Sequence, residues 1–140
     1  MSKLWLVLLA GLSSVSMAQG IVGKWQTIDD ETKKPKGVVE IVESGGVFQG
    51  RVTQLYAGAL NQCSGCTGAQ KDAPIVGMTV VSGLKQTKEG QYEGGKVFDP
   101  KSGKTYSAKA KLTNNGDALE LRGFVGVSLL GRTQTWKRLN

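Results

Sequence analysis

The chain has 140 residues, with 18 Lys and Arg against 11 Asp and Glu, a formal charge of +7, and no histidine. The missing His excludes Ser-His-Asp and Cys-His nucleophilic catalysis, His-ligated zinc and histidine pH switching. The length suits one domain with its own core and is too short for two.

Met1-Ser2-Lys3 is a short positive start, Leu4 to Leu12 is apolar, and Ser16-Met17-Ala18 supplies small residues at the −3 and −1 positions of a cleavage site. The run is too short for a spanning helix, so residues 1–18 read as a secretory signal peptide cut after Ala18 rather than a retained anchor. No Cys follows at the cut, which excludes lipid attachment there. Cleavage leaves Gln19 to Asn140, 122 residues, and loss of Lys3 takes the charge to +6. The expected location is periplasmic or secreted. No later segment is apolar enough for a membrane span. The basic charge suits anionic headgroups, acidic polymers or nucleic acid. Because the Lys residues are scattered and no aromatic platform accompanies them, solubility is the favoured reading and no nucleic-acid partner is expected.

From residue 20 onward the pattern is strand and turn, with no apolar recurrence of helical period. Gly23 to Ile28 is the first strand, followed by the polar turn Asp29 to Lys36. Gly37 to Glu43 alternates imperfectly, and Ser44-Gly45-Gly46 signals a hairpin into Val47 to Tyr56. There Phe48, Val52 and Tyr56 are expected on one face, with Arg51 and Thr53 on the other. Ala57 to Val76 lacks periodicity and reads as a binding loop or lid, with room for a short helical turn. Gly77 to Lys85 and Gln91 to Asp99 are further strands, the second with a Gly94-Gly95 bulge. Asp99-Pro-Lys-Ser-Gly103 is a strong turn. Lys104 to Leu112 alternates cleanly, with Tyr106, Ala108, Ala110 and Leu112 inward. Asn114 to Asp117 is a second hairpin signal; Leu119, Leu121 and Gly123 take the inner face after it, and Thr133 to Leu139 is the last strand. Eight short hairpin-linked strands predict an all-β, single small antiparallel up-and-down barrel able to hold one small ligand. A β-sandwich is the alternative, disfavoured by the lack of long crossovers.

Gly23-Lys24-Trp25 resembles the first-strand signature of lipocalins and the wider calycin barrels, in which a basic residue near the barrel's end packs over the Trp ring. The resemblance implies Arg138 or Arg132 in that role, with Trp25 and Trp136 closing one end structurally. Gly23 to Asp29, Gly46 to Val52, Cys63-x-x-Cys66, Pro74 to Gly77, Gly94 to Pro100, Gly103 to Tyr106 and Leu121 to Trp136 together resemble domain-of-unknown-function family 2147. These are exported bacterial proteins, and the resemblance implies a lipocalin-like barrel in the cell envelope without naming an activity.

Cys63-Ser-Gly-Cys66 lies in a Gly/Ser-rich loop without the helix start that activates a redox thiol. An oxidising compartment favours a structural disulfide, with thiol-disulfide redox activity as the alternative enzyme reading. Two Cys and no His make a poor metal site, and no cofactor is expected. Asp29-Asp30-Glu31 and Asp99 offer carboxylates, but turn chemistry accounts for them better than glycoside hydrolysis. Tyr56, Phe98, Tyr106, Phe124, Trp25 and Trp136 are candidates either to line a cavity or to fill the barrel. Arg51 and Arg122, if inward, would attract an anionic headgroup. The expectation is a non-enzymatic binder of a small apolar or amphipathic ligand, entering at the end that carries the cysteine loop. A cell-envelope interaction module with a filled barrel is a further alternative.

Overall fold

The computed structural model describes residues 20–140, so the expected leader and the expected cleavage after Ala18 lie outside the described residues. Strands β1 (Gly23–Ile28), β2 (Pro35–Ser44), β3 (Val47–Leu55) and β4 (Thr79–Lys88) are followed by β5 (Gln91–Asp99), β6 (Lys104–Thr113), β7 (Ala118–Phe124) and β8 (Gly131–Arg138). Each strand pairs antiparallel with the next, and β8 returns to β1 through Trp25 opposite Arg138 and Gln26 opposite Lys137, closing an eight-stranded barrel. Closure removes both free sheet edges.

The local chemistry explains the hairpins. Gly45 and Gly46 both have positive φ, 61° and 84°, as a two-residue primed turn requires, and they place Ser44 opposite Val47. Asn114, Asn115 and Gly116 turn β6 into β7 with φ of 54°, 57° and 88°, a left-handed run that Asn and Gly tolerate best. The Gly94-Gly95 bulge appears as a break in the β5–β6 register between Tyr92 and Gly95. In β6 and β7 the period of two holds: Ala108, Ala110, Leu119 and Leu121 are buried, while Lys109, Lys111 and Arg122 face outward.

The core runs up the barrel axis through Trp25, Ile41, Phe48, Val81, Leu84, Tyr92 and Leu119. Phe48 and Tyr92 meet edge to face at 5.0 Å between ring centroids, the arrangement their quadrupoles favour. Burial pushes the Tyr92 phenol above its usual range, opposed by a backbone hydrogen bond from Ile21. Removing a buried aromatic of this kind typically costs about 3–5 kcal/mol.

The two ends differ. One end has the tight β2–β3, β4–β5 and β6–β7 turns, and the other has the long loops 29–34, 56–78 and 125–130 with the turn 100–103. The tight-turn end is sealed. Trp25 is fully buried and donates its indole N–H to Ile21 O at 2.9 Å. The Arg138 guanidinium lies 4.3 Å from the Trp25 ring centre, within cation–π range. It also donates to Gly116 O (2.7 Å), Gly20 O (2.6 Å), and Val22 O and Asn140 O (3.2 Å each). Burial lowers Arg138 from the usual guanidinium range, and Asp117 and Tyr92 oppose that shift.

Arg132 is therefore not the residue over Trp25. The β1–β8 register puts Arg138 there, and Arg132 lies six residues earlier on the same strand, at the opposite end.

Candidate ligand cavity

A cavity of about 620 Å³ opens among the long loops. Val39 and Val52 from β2 and β3, Val80 and Val97 from β4 and β5, and Leu121 from β7 give it an aliphatic wall. Phe98 and Tyr106 join the wall near the mouth. Trp136 also lines the cavity, so its indole is the floor between cavity and seal rather than part of the seal itself. Ile75, buried although it belongs to the 56–78 loop, reaches in from above.

A polar chain runs from floor to rim. Trp136 Nε1 donates to Gln134 Oε1 at 2.8 Å, and Gln134 Nε2 donates to Asp30 Oδ1 at 2.7 Å. Arg132 Nη1 stands 3.5 Å from Asp30 Oδ2. An indole N–H only donates and a carboxylate only accepts, so the two neighbours fix the orientation of the Gln134 amide. The chain gives a mostly apolar chamber one oriented polar wall. Across the mouth, Lys101 Nζ meets Glu31 Oε1 at 3.2 Å, joining the β5–β6 turn to the β1–β2 loop. Asp29 shapes that loop by accepting the Glu31 and Thr32 backbone N–H groups at 2.8 and 2.9 Å. These bonds, Thr32 first, hold its carboxyl below the usual carboxylate range.

The cysteine loop lies against this mouth. Cys63 and Cys66 form a disulfide with Cys63 fully buried. Cys63 N donates to Ala73 O at 2.8 Å, and Gly65 N donates to Pro100 O at 2.8 Å, tying the loop to itself and to the β5–β6 turn. Any Cβ at Gly65 would collide with the Ser102–Gly103 backbone, so only glycine permits this approach. The nearest helical segment is a three-residue 3₁₀ turn, Gly68–Gln70, with no cap hydrogen bond from Thr67. That is not the helix start that lowers a redox thiol's pKa. Among the described residues no group of three or more His, Cys, Asp or Glu is placed to hold a metal ion.

Of the expected cavity residues, Phe98, Tyr106, Phe124 and Trp136 line it, whereas Tyr56, Trp25, Arg51 and Arg122 do not. Tyr56 lies outside, its hydroxyl accepting from Gln26 Nε2 at 3.3 Å. The reason is a bulge: Val39 pairs with Val52 but Val38 with Gln54, so Thr53 is the extra residue. One inserted residue inverts the facing of everything after it, which turns Leu55 inward and Tyr56 outward. Arg51 faces water, as strict alternation from buried Gly50 and Val52 demands. Arg122 also points out, where it holds the β7–β8 loop by donating to Ser128 O (2.6 Å), Leu129 O (3.3 Å) and Thr133 Oγ1 (2.8 Å). Neither arginine offers a charge to the interior.

Asp30, Gln134 and Ile75 are cavity residues that the sequence reading did not assign to a ligand. Gln134 was within reach, since it sits two positions before an inward Trp on a strand. Asp30 reads as one acid of a solvated turn, and its partner Gln134 is 104 residues away.

The fold matches protein HP1028 from the human pathogen Helicobacter pylori, which belongs to the lipocalin family. The TM-score is 0.76 at 26% identity, covering 86% of this chain and 84% of that one. No curated protein sequence matches the chain. The family model described as "Uncharacterized protein conserved in bacteria (DUF2147)" matches residues 23–138, nearly the whole of the described barrel. The chain belongs to that family, and its barrel is lipocalin-like.

Proposed function

We propose that this protein is an exported, non-enzymatic carrier that binds one small amphipathic molecule in its barrel. The observation that carries the reading is the cavity itself: about 620 Å³, aliphatic in its walls, with the oriented Trp136–Gln134–Asp30 chain on one side. Ligand sites of roughly 300–1,000 Å³ with apolar walls and a few placed polar groups are the usual form for small molecules. The apolar part of the ligand packs on Val39, Val52, Val97 and Leu121. A group able to donate or accept a hydrogen bond meets Asp30, Gln134 and Arg132. Likeness to a lipocalin-family barrel supports the same reading. The open chamber favours it over a filled interaction module. Export to the periplasm or beyond rests on the leader Leu4 to Leu12 and the small residues before Gln19.

Native mass spectrometry of protein purified from its own host, followed by solvent extraction, tests the carrier reading. A stoichiometric mass adduct that extracts into organic solvent is expected. Protein that emerges without one, and that also fails to bind an added apolar fluorophore, overturns it.

A further inference from the structure

We infer that the β7–β8 loop docks the cavity mouth onto an anionic lipid surface, so that ligand passes between lipid and barrel without crossing water. Val125, Val127, Leu129 and Leu130 are 66, 59, 86 and 72% exposed, four large apolar side chains within six residues. Single exposed hydrophobics need no explanation, but a contiguous group on one loop marks a contact surface. The loop is not collapsed for want of anchoring. Arg122 grips its backbone at Ser128 O and Leu129 O, which holds the side chains outward.

Val125 and Leu130 also line the cavity, so the apolar surface is continuous from the loop tip into the barrel. The charge around the mouth fits an anionic surface. Its four acids are engaged locally: Asp30 with Arg132, Glu31 with Lys101, Asp29 with the backbone of its own turn, and Asp99 with Lys101 N and Ser102 Oγ of its turn. Lys33, Lys34 and Lys36, from the neighbouring β1–β2 segment, have no ion-pair partner among the described residues. A protein partner would be expected to find aromatic anchors or a pocket. The exposed large side chains of this loop are all aliphatic, and an aliphatic patch flanked by cations is the pairing that holds peripheral proteins at anionic bilayers.

The transfer half of this inference rests on the carrier reading, and the docking half does not. Flotation with vesicles of phosphatidylglycerol and phosphatidylethanolamine, against vesicles of phosphatidylcholine alone, separates them when phenylnaphthylamine binding is measured in parallel without vesicles. The wild-type protein should float with the anionic vesicles at low salt, far less with the neutral ones, and should be partly released by high salt. The double variant Val127→Glu/Leu129→Glu, at two exposed positions outside the cavity lining, should lower vesicle partitioning by roughly tenfold or more. Its melting temperature and phenylnaphthylamine affinity should stay at wild-type values, and Leu129→Ser provides a milder second variant. Lys33→Glu/Lys34→Glu should weaken binding to the anionic vesicles alone. Wild-type protein that ignores anionic vesicles while still binding phenylnaphthylamine overturns docking and leaves the carrier reading standing. A wild-type dimer that Val127→Glu/Leu129→Glu dissolves, with no vesicle binding, assigns the patch to self-association and also overturns docking. Vesicle binding without phenylnaphthylamine binding leaves docking intact and removes the transfer half.

Discussion

Replacing Arg138 with Met keeps an unbranched apolar cover on Trp25 but removes the guanidinium, which isolates what the charged plug contributes. Two of its bonds are short, to Gly116 O at 2.7 Å and Gly20 O at 2.6 Å, and two are longer, at 3.2 Å. The carbonyls can turn to water when the donor is lost, so about 1 kcal/mol for each short bond is appropriate. The stack at 4.3 Å from the indole centre adds about 1 kcal/mol. The expected loss for Arg138→Met is therefore about 3 kcal/mol, a fall of roughly 10 °C in melting temperature for a domain of this size. Arg138→Lys keeps the charge but not the planar fork, and should lose about half as much. Urea unfolding followed by tryptophan fluorescence measures both. Phenylnaphthylamine affinity should stay within about twofold of wild type, because the cavity opens at the other end. A loss below about 0.5 kcal/mol would refute the plug, placing Arg138 among ordinary surface residues. A large loss of affinity in a folded variant would refute the separation of the two ends.

Reducing the Cys63–Cys66 disulfide should leave the barrel folded, since closing so short a loop stabilises by roughly 2 kcal/mol. Hydrogen exchange should quicken across residues 57–78 and little elsewhere, and a reduction potential in the range of exchangeable redox pairs would instead revive the oxidoreductase reading. Gly65→Ala forces the cysteine loop off the Ser102–Gly103 backbone and should cost about 1–3 kcal/mol in urea unfolding; a neutral result would refute that close packing. Asp29 has a lowered folded-state pKa, so its contribution is fully present above the unfolded-state value and is lost as pH falls through the lower folded-state value. Asp29→Asn should therefore flatten the acid limb of the stability–pH curve below about pH 4, and an unchanged limb would count against those backbone bonds. Glu31→Gln breaks only an exposed pair across the mouth and should change stability by less than about 1 kcal/mol in the same assay.

Much of the barrel was legible because its physics is local. Tyr106 to Leu112 and Leu119 to Gly123 alternate with a period of two, and the turns between strands carry the Gly, Asn and Pro that those geometries demand. What escaped depends on long-range geometry. The choice between Arg132 and Arg138 could not be made within β8, because six residues apart on one strand they share a face. Only the β1–β8 register separates them. The bulge at Thr53 carries no glycine, so nothing in Val47 to Tyr56 announces that Tyr56 turns outward. Ile75 fills the barrel from an aperiodic loop, and Asp30 acquires its role only when closure brings Gln134 beside it.

The central claim, that the chamber between Trp136 and the loops holds one amphipathic molecule, is tested most directly by titrating phenylnaphthylamine into wild-type protein and two filled variants. Val97 and Leu121 both line the chamber, so Val97→Trp and Leu121→Phe place extra volume inside it, each at a packing cost of about 1–3 kcal/mol. Wild-type protein should give a saturable one-to-one fluorescence rise, and both folded variants should lose most of it. No saturable signal in the wild type, or equal binding by wild type and both folded filled variants, would contradict the account.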